Sequence, residues 1–475
     1  MNSQKKKLKI LQVGWGWPPR QTGGAIYYTR TLCNKLSDMG HDVSYFYSGD
    51  QNLIPFTYIR RNKEKKIKLF EMVNSPNQYE TKYNDSQNEL QNHIMERCFK
   101  KVLKEVSPDI VHFQNFAGIC ASLVKVASDS GSVVINSMHN YIPICPIGEM
   151  FNYETNKICD LNSCTNCYKN KLITNRYINT IIVLVAKVAS PRIKDVVRKL
   201  SFFRQDKPLV KVPANKVNSY EKEKNKRLSY FKDMLNLADM NLAVSKIVRD
   251  IYINYLRIDS GKVIVCHVGN EEAEKIQPES DLVHSDSVHK DGETTKFVFL
   301  GSLAPHKGFQ NLLKAFKLID QSKATLFVYA PISKEYEQIQ STLEKRYSIK
   351  FMGGYKLDEL SKILSRCDVG IVPPVWHDNA PRVVFEMQSA GLPIIASNVG
   401  GMSDFVLDQK NGLIFQYDDP SDLAAKLNIF ISEHYLIEEY GRNIIPGKTV
   451  SQHVAEIEAI YYDFRVRKLK FKQNN

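Results

Sequence analysis

The 475-residue chain has no apolar run long enough to cross a bilayer: its most apolar stretch, Thr180–Ala189, is about half the required length and is interrupted by Lys187. Lys5, Lys6 and Lys7 are followed by the short run Leu8–Val13 with no small-residue cleavage site, so a β-strand is expected there rather than a signal peptide. Only 23 Gly and 19 Pro are present, which excludes collagen-like and linker-dominated chains. A charged fraction of 24% beside 22 Phe and 24 Tyr excludes a disordered chain. The nine Cys make an odd number, and Cys33, Cys98, Cys120, Cys266 and Cys367 follow no spacing pattern; this usage fits a reducing compartment, the cytosol.

Charge is what the chain does have, and it is concentrated. The formal net charge is +14. Residues 157–232 hold 18 Lys/Arg against five Asp/Glu, a local excess of 13 that leaves the other 399 residues near neutrality. A uniformly basic protein would suggest nucleic acid, but no finger, helix-turn-helix or RNA-binding signature accompanies this segment, so no nucleic-acid partner is expected. Tyr177–Leu200 reads as a helix with a basic C-terminal half (Arg192, Lys194, Arg198, Lys199), followed by Phe202 and Phe203. That pattern suits an anionic membrane surface, or a helix packed on its domain with a solvated basic face.

Strand and helix patterns alternate up to about residue 140. Strands are expected at Lys9–Gly14, His41–Tyr47, Asp109–Phe113 and Ser132–Met138, with helices at Ala25–Met39 and Leu90–Val106. Alternation resumes with a helix at Ser245–Leu256 and a strand at Lys262–Val268. It restarts at Phe297 after the acidic, aromatic-free stretch Glu271–Glu293, which reads as a linker. The expected fold class is α/β, with two Rossmann-like domains of doubly wound parallel sheet. The first would span residues 1–275, with a Cys-rich basic insertion at about 141–232; the second would span 276–450, and 451–475 would form a final helix.

In such sheets ligands bind where strands end and helices begin. Four loops qualify. Gly14–Gly24 closes on Gly23-Gly24 at a helix start, where phosphate can approach backbone N–H groups at the positive end of the dipole. Gly301–Gly308 carries Ser302 and Lys307, a phosphate-directed cation or a solvated lysine. Pro373–Glu386 places Asp378 on a loop and Glu386 one turn inside a helix started by Pro381. A carboxylate so placed can accept both hydroxyls of a ribose. The fourth loop, Asn398–Asp404, holds Gly400-Gly401.

Taken together, Trp376 through Glu386, Gln388-Ser389-Ala390-Gly391-Leu392-Pro393, Gly400-Gly401 and Asn411-Gly412-Leu413 resemble the donor-binding core of the retaining glycosyltransferases of family 4. Gly23-Gly24, Gly40-His41-Asp42-Val43, Asp109-Ile110-Val111-His112, Ser137-Met138-His139-Asn140, Ala243-Val244-Ser245 and Lys307-Gly308 extend the likeness over most of the chain. The resemblance implies the GT-B arrangement, two domains facing a cleft with the last helix crossing back to the first. It implies an acceptor-binding first domain and a second domain that takes a nucleotide-diphosphate sugar. Glu386 then matches the ribose-binding acid, Asp378 the acid on the transferred sugar, and Lys307 the diphosphate lysine. Gly24 matches the glycine beside the diphosphate and His139 the histidine near the reacting sugar, and N–H groups after Gly400-Gly401 are expected to face the donor. Asp378 stands where the family usually has Glu, and Ser302 where it usually has Arg; Arg382 is a candidate substitute cation.

Same-face attack, with the leaving phosphate taking the acceptor's proton, is the mechanism the resemblance implies, and His139 would orient rather than act as base. No Asp-x-Asp dyad lies near these loops, so no catalytic metal is expected. The implied enzyme is a hexosyltransferase at the cytoplasmic face of the cell membrane. Its acceptor would be a lipid-linked sugar of surface polysaccharide or glycolipid synthesis. The alternatives are a non-catalytic nucleotide-sugar-binding subunit or another GT-B enzyme such as an epimerase. Separately, Cys145, Cys159, Cys164 and Cys167 form C-x13-C-x4-C-x2-C: a structural zinc site, free thiols, or a redox or iron–sulfur centre.

Overall fold

The computed structural model describes residues 6–21, 23–52, 56–77, 87–145, 148–153, 155–160, 214–270, 294–332, 334–445 and 447–473. Most of the basic segment, with its expected helix at Tyr177–Leu200, Cys164 and Cys167, lies outside these residues, as does the acidic linker.

Among the described residues ten strands precede the linker: β1 Lys9–Trp15, β2 Asp42–Ser48, β3 Tyr58–Glu64, β4 Ile67–Val73, β5 Ile110–Phe113, β6 Val133–Met138, β7 Phe151–Asn152, β8 Lys157–Ile158, β9 Met240–Ala243 and β10 Val263–Val265. Eight of them form one sheet in the order β10-β9-β6-β5-β1-β2-β4-β3, and β7 and β8 pair as a separate hairpin. Every pairing in the large sheet is parallel except β3 with β4. After the linker come β11 Thr295–Leu300, β12 Ala324–Tyr329, β13 Ile349–Phe351, β14 Val369–Val372, β15 Ile394–Ser397 and β16 Gly412–Phe415. They form a parallel sheet ordered β13-β12-β11-β14-β15-β16. Helices cover both faces, so central strands such as β5, β6 and β14 are buried along their whole length.

β3 and β4 had no counterpart among the expected strands. β3 reads Tyr-Ile-Arg-Arg-Asn-Lys-Glu because it is the charged edge of the sheet, and such composition carries little strand signal. The helix expected over Ser245–Leu256 is α-helical only over Lys246–Ile251 and continues as a wider turn over Tyr252–Leu256.

The last helix, Val450–Gln473, packs beside the first domain's opening helix, Gly24–Asp38. Val454, Ile457 and Tyr461 share a core with Ile10, Leu32 and Leu36. Polar contacts reinforce the packing: His41 Nε2 lies 3.0 Å from Glu458, Arg465 pairs with Asp109 at 2.7 Å, and Lys468 with Asp239 at 3.0 Å. Among the described residues no helix is long and apolar enough to cross a membrane.

Candidate functional site

The two sheets direct their loops at each other. Helix Gly24–Asp38 begins in the cleft, with Gly23 at φ 154° and ψ 157° before it. Neither a side-chain cap nor an acidic residue occupies its first turn, and a Cβ added at Gly24 would meet nothing within 4 Å. Among the described residues the N–H groups of Gly24 and Ala25 and the dipole end are therefore open to an anion, while those of Ile26 and Tyr27 donate to the Gly23 carbonyl. Gly24 lines a cavity of about 260 Å³ together with Tyr28, His139, Asp378, Asn379 and Arg382, so both domains form its wall.

The second domain contributes charge. Lys307 Nζ lies 2.7 Å from Asp378 Oδ2 and 5.2 Å from the centre of the Trp376 ring. Backbone geometry places that lysine: Gly308 has φ 74°, and any Cβ there would overlap the Pro373 carbonyl, so only glycine lets the two loops approach. Arg382 Nε lies 2.9 Å from Glu386 Oε1, with the Glu386 side chain only 3% exposed. Asp378 and Glu386 thus each face a cation that sequence reasoning had named separately. Ser302 is exposed on its loop.

Gly401 lies against the carboxylate loop. Its N–H donates to the Asp378 carbonyl at 2.7 Å, and a Cβ on Gly400 or Gly401 would collide with the backbone at Asp378–Asn379. The Gly401 N–H therefore braces the carboxylate loop, because the two loops touch through main chain.

The first domain contributes uncharged polarity. Because Gln114 Oε1 can only accept, His139 Nε2 donates to it at 3.0 Å, which leaves the lone pair of the neutral ring on Nδ1. Burial, with His453 second, holds the His139 pKa down to about 3. Gln114 donates to Gln12 at 2.7 Å, Gln12 donates to Tyr461 at 2.9 Å, and Tyr461 reaches His112 Nδ1 at 2.6 Å. A chain of buried hydrogen bonds so fixes the cleft histidine to the last helix. Tyr28 packs over His139 with ring centres 4.6 Å apart.

Several contacts at the site had no counterpart among the roles expected from the sequence. Asn379 Nδ2 donates to the His139 carbonyl at 2.6 Å, joining the domains across the cleft. Asp404 accepts from Lys246 N at 2.8 Å and from His267 Nε2 at 2.9 Å, a second bridge. The β7–β8 hairpin reaches the lysine loop, where Tyr153 Oη lies 3.0 Å from His306 Nδ1 and Phe151 packs with Val375 and Trp376. Among the described residues, Trp376 Nε1, His377 Nδ1 and Asn379 Oδ1 are buried without a hydrogen-bond partner, a concentration that points to a ligand. Cys145 and Cys159 are buried in the first domain's core.

Comparison with known proteins assigns this architecture. Residues 283–445 match the family model described as Glycosyl transferases group 1. An uncharacterised glycosyltransferase of Methanocaldococcus jannaschii is 25% identical over 209 residues, 42% of this chain and 57% of that protein. The UDP-Gal:alpha-D-GlcNAc-diphosphoundecaprenol alpha-1,3-galactosyltransferase of Escherichia coli is 24% identical over 182 residues, 36% of this chain and 46% of that protein. The chain thus spans about half the length of these curated relatives. Anabaena HepE in complex with UDP superposes with a TM-score of 0.55 at 13% identity, covering 98% of this chain and 100% of that one. The fold is GT-B.

Proposed function

We propose that this group 1 glycosyltransferase scaffold transfers a hexose from a nucleotide-diphosphate donor to an acceptor hydroxyl with retention of configuration. The observation that carries the reading is one cavity walled by an uncapped helix N-terminus at Gly24, by the acid Asp378 and by the neutral His139. Glu386 takes the ribose hydroxyls. The diphosphate lies against the Gly24 helix end and Lys307, with Arg382 as second cation in place of the exposed Ser302, and Asp378 holds the transferred sugar. Donor binding then exchanges the Lys307–Asp378 and Arg382–Glu386 pairs for contacts to phosphate and hydroxyls.

As the sugar–oxygen bond breaks, charge grows on the leaving phosphate, where Lys307 and the helix N–H groups stabilise it. That phosphate accepts the proton of the acceptor hydroxyl attacking from the same face. His139, neutral down to about pH 3, hydrogen-bonds and orients rather than taking the proton. UDP in the complex of Anabaena HepE supports a uridine nucleotide donor. The diphosphoundecaprenol acceptor in the Escherichia coli relative's name supports a lipid-linked acceptor in surface polysaccharide or glycolipid synthesis. The basic segment is proposed to dock a cytoplasmic enzyme peripherally on anionic lipid, and Cys145, Cys159, Cys164 and Cys167 to bind a structural zinc.

A thermal-shift screen of nucleotide sugars, followed by an assay of nucleoside diphosphate release with the stabilising donor, tests the reading. No stabilisation by any nucleotide or nucleotide sugar would reject it. The exposed Ser302 favours a second reading, a donor-binding subunit without turnover, and binding with no release under any acceptor would establish that instead. Co-sedimentation with liposomes tests docking; indifference to anionic lipid would remove it.

A further inference from the structure

Cys266 lies 187 residues before His453 in the chain, yet the ligand atoms of Cys266, His453 and Glu456 all lie within 4.8 Å of one another. Cys266 follows β10 in the first domain; His453 and Glu456 lie one turn apart on the last helix, near the point where the chain returns from the second domain. Cys266 Sγ lies 3.8 Å from His453 Nδ1 and 3.4 Å from Glu456 Oε2, and His453 Nδ1 lies 3.9 Å from Glu456 Oε2. Bonds of about 2.0–2.3 Å to a tetrahedral zinc place neighbouring ligand atoms about 3.3–3.8 Å apart. The three atoms therefore already form, within small side-chain adjustments, one triangular face of a tetrahedral site.

We propose that Cys266, His453 and Glu456 bind a divalent transition metal of the zinc class at the junction of the last helix with the first domain. The mixed sulfur, imidazole and carboxylate donor set suits such an ion and not magnesium or calcium. Two further features fit. His453 Nε2 lies 2.7 Å from Tyr28 Oη, the outer-shell partner that would hold Nδ1 as the ligating nitrogen. Cys266 and His453 are buried while the Glu456 side chain is 39% exposed, giving an ion a path in and leaving the fourth position to water.

The Lys448 ammonium now sits against Glu456 Oε2, so a cation is already accommodated there. Metal entry displaces that ammonium to solvent and releases the Cys266 thiol proton as the metal–sulfur bond forms. The site is distinct from the Cys145–Cys167 set and independent of the transferase reading. Its effect would be felt in the cleft, because Tyr28 joins His453 to the ring of His139.

The test is zinc stoichiometry and zinc-induced thermal stabilisation of the full chain after metal-free dialysis. The parent is compared with Cys266→Ala and Glu456→Gln, each also made with Cys145, Cys159, Cys164 and Cys167 changed to Ser. Cys266→Ala is expected to bind one zinc fewer than its parent in either background. Glu456→Gln, at a partly exposed position that should leave folding intact, is expected to weaken that zinc by at least about tenfold. Equal stoichiometry and equal zinc stabilisation in parent and Glu456→Gln would overturn the proposal, even if Cys266→Ala fails to fold.

Discussion

The two walls of the cleft solve different electrostatic problems. The second domain presents ion pairs, Lys307 with Asp378 and Arg382 with Glu386. The first presents a histidine held neutral and tied through Gln114, Gln12 and Tyr461 to the interior. Charge thus gathers where a diphosphate and its ribose would sit, and uncharged polarity where a hydroxyl would be oriented. Fixed charges close to a departing phosphate lower a barrier, whereas a charged histidine beside the acceptor would cost desolvation on each cycle.

Breaking the charged wall should have the largest effect. Lys307→Met is expected to lower kcat by 10²- to 10³-fold, roughly 3–4 kcal/mol of transition-state stabilisation. Loss of KM alone, with kcat intact, would move Lys307 out of the leaving-group role. Glu386→Ala should weaken donor affinity by about 10- to 100-fold in calorimetry while leaving the melting temperature within a few degrees. Unchanged affinity would remove the ribose assignment.

The neutral wall predicts a pH effect on stability. His453 has a folded-state pKa of about 4, and buried His112 is also held well below the ordinary value. Folding favours the neutral rings, so their contribution is complete above about pH 6.5 and declines as pH falls toward the folded values. At about pH 5 His453 alone should have lost about 2 kcal/mol, read as a fall in the urea midpoint with proton uptake on unfolding. A midpoint flat from about pH 7 to pH 5 would contradict the neutral assignment.

The smallest expected effect is that of His139→Asn, a loss of roughly tenfold in kcat with the pH profile unchanged between about pH 5.5 and 8. A drop beyond about 10³-fold, with disappearance of an acidic limb, would make His139 a base after all.

Much of this comparison was legible along the chain, because the relevant patterns are local. Apolar runs marked most central strands, Pro381 marked a helix start one turn before Glu386, and glycines marked the loops that must approach closely. The edge strand β3 was illegible because its residues answer to solvent rather than to a core. The Tyr153–His306 contact was hidden for another reason: the hairpin crosses the cleft, and no periodicity encodes a partner 153 residues away.

By itself the sequence determined the doubly wound architecture, the positions of the ligand-facing loops and the residue types available on them. Those follow from backbone preference and hydrophobic spacing, which act over a few residues. Only the tertiary structure decided which charges neutralise one another, that Gly401 braces Asp378, and that Cys266 meets His453 and Glu456. Those depend on how two sheets and a returning helix pack, and at contact distances an ångström separates a hydrogen bond from none.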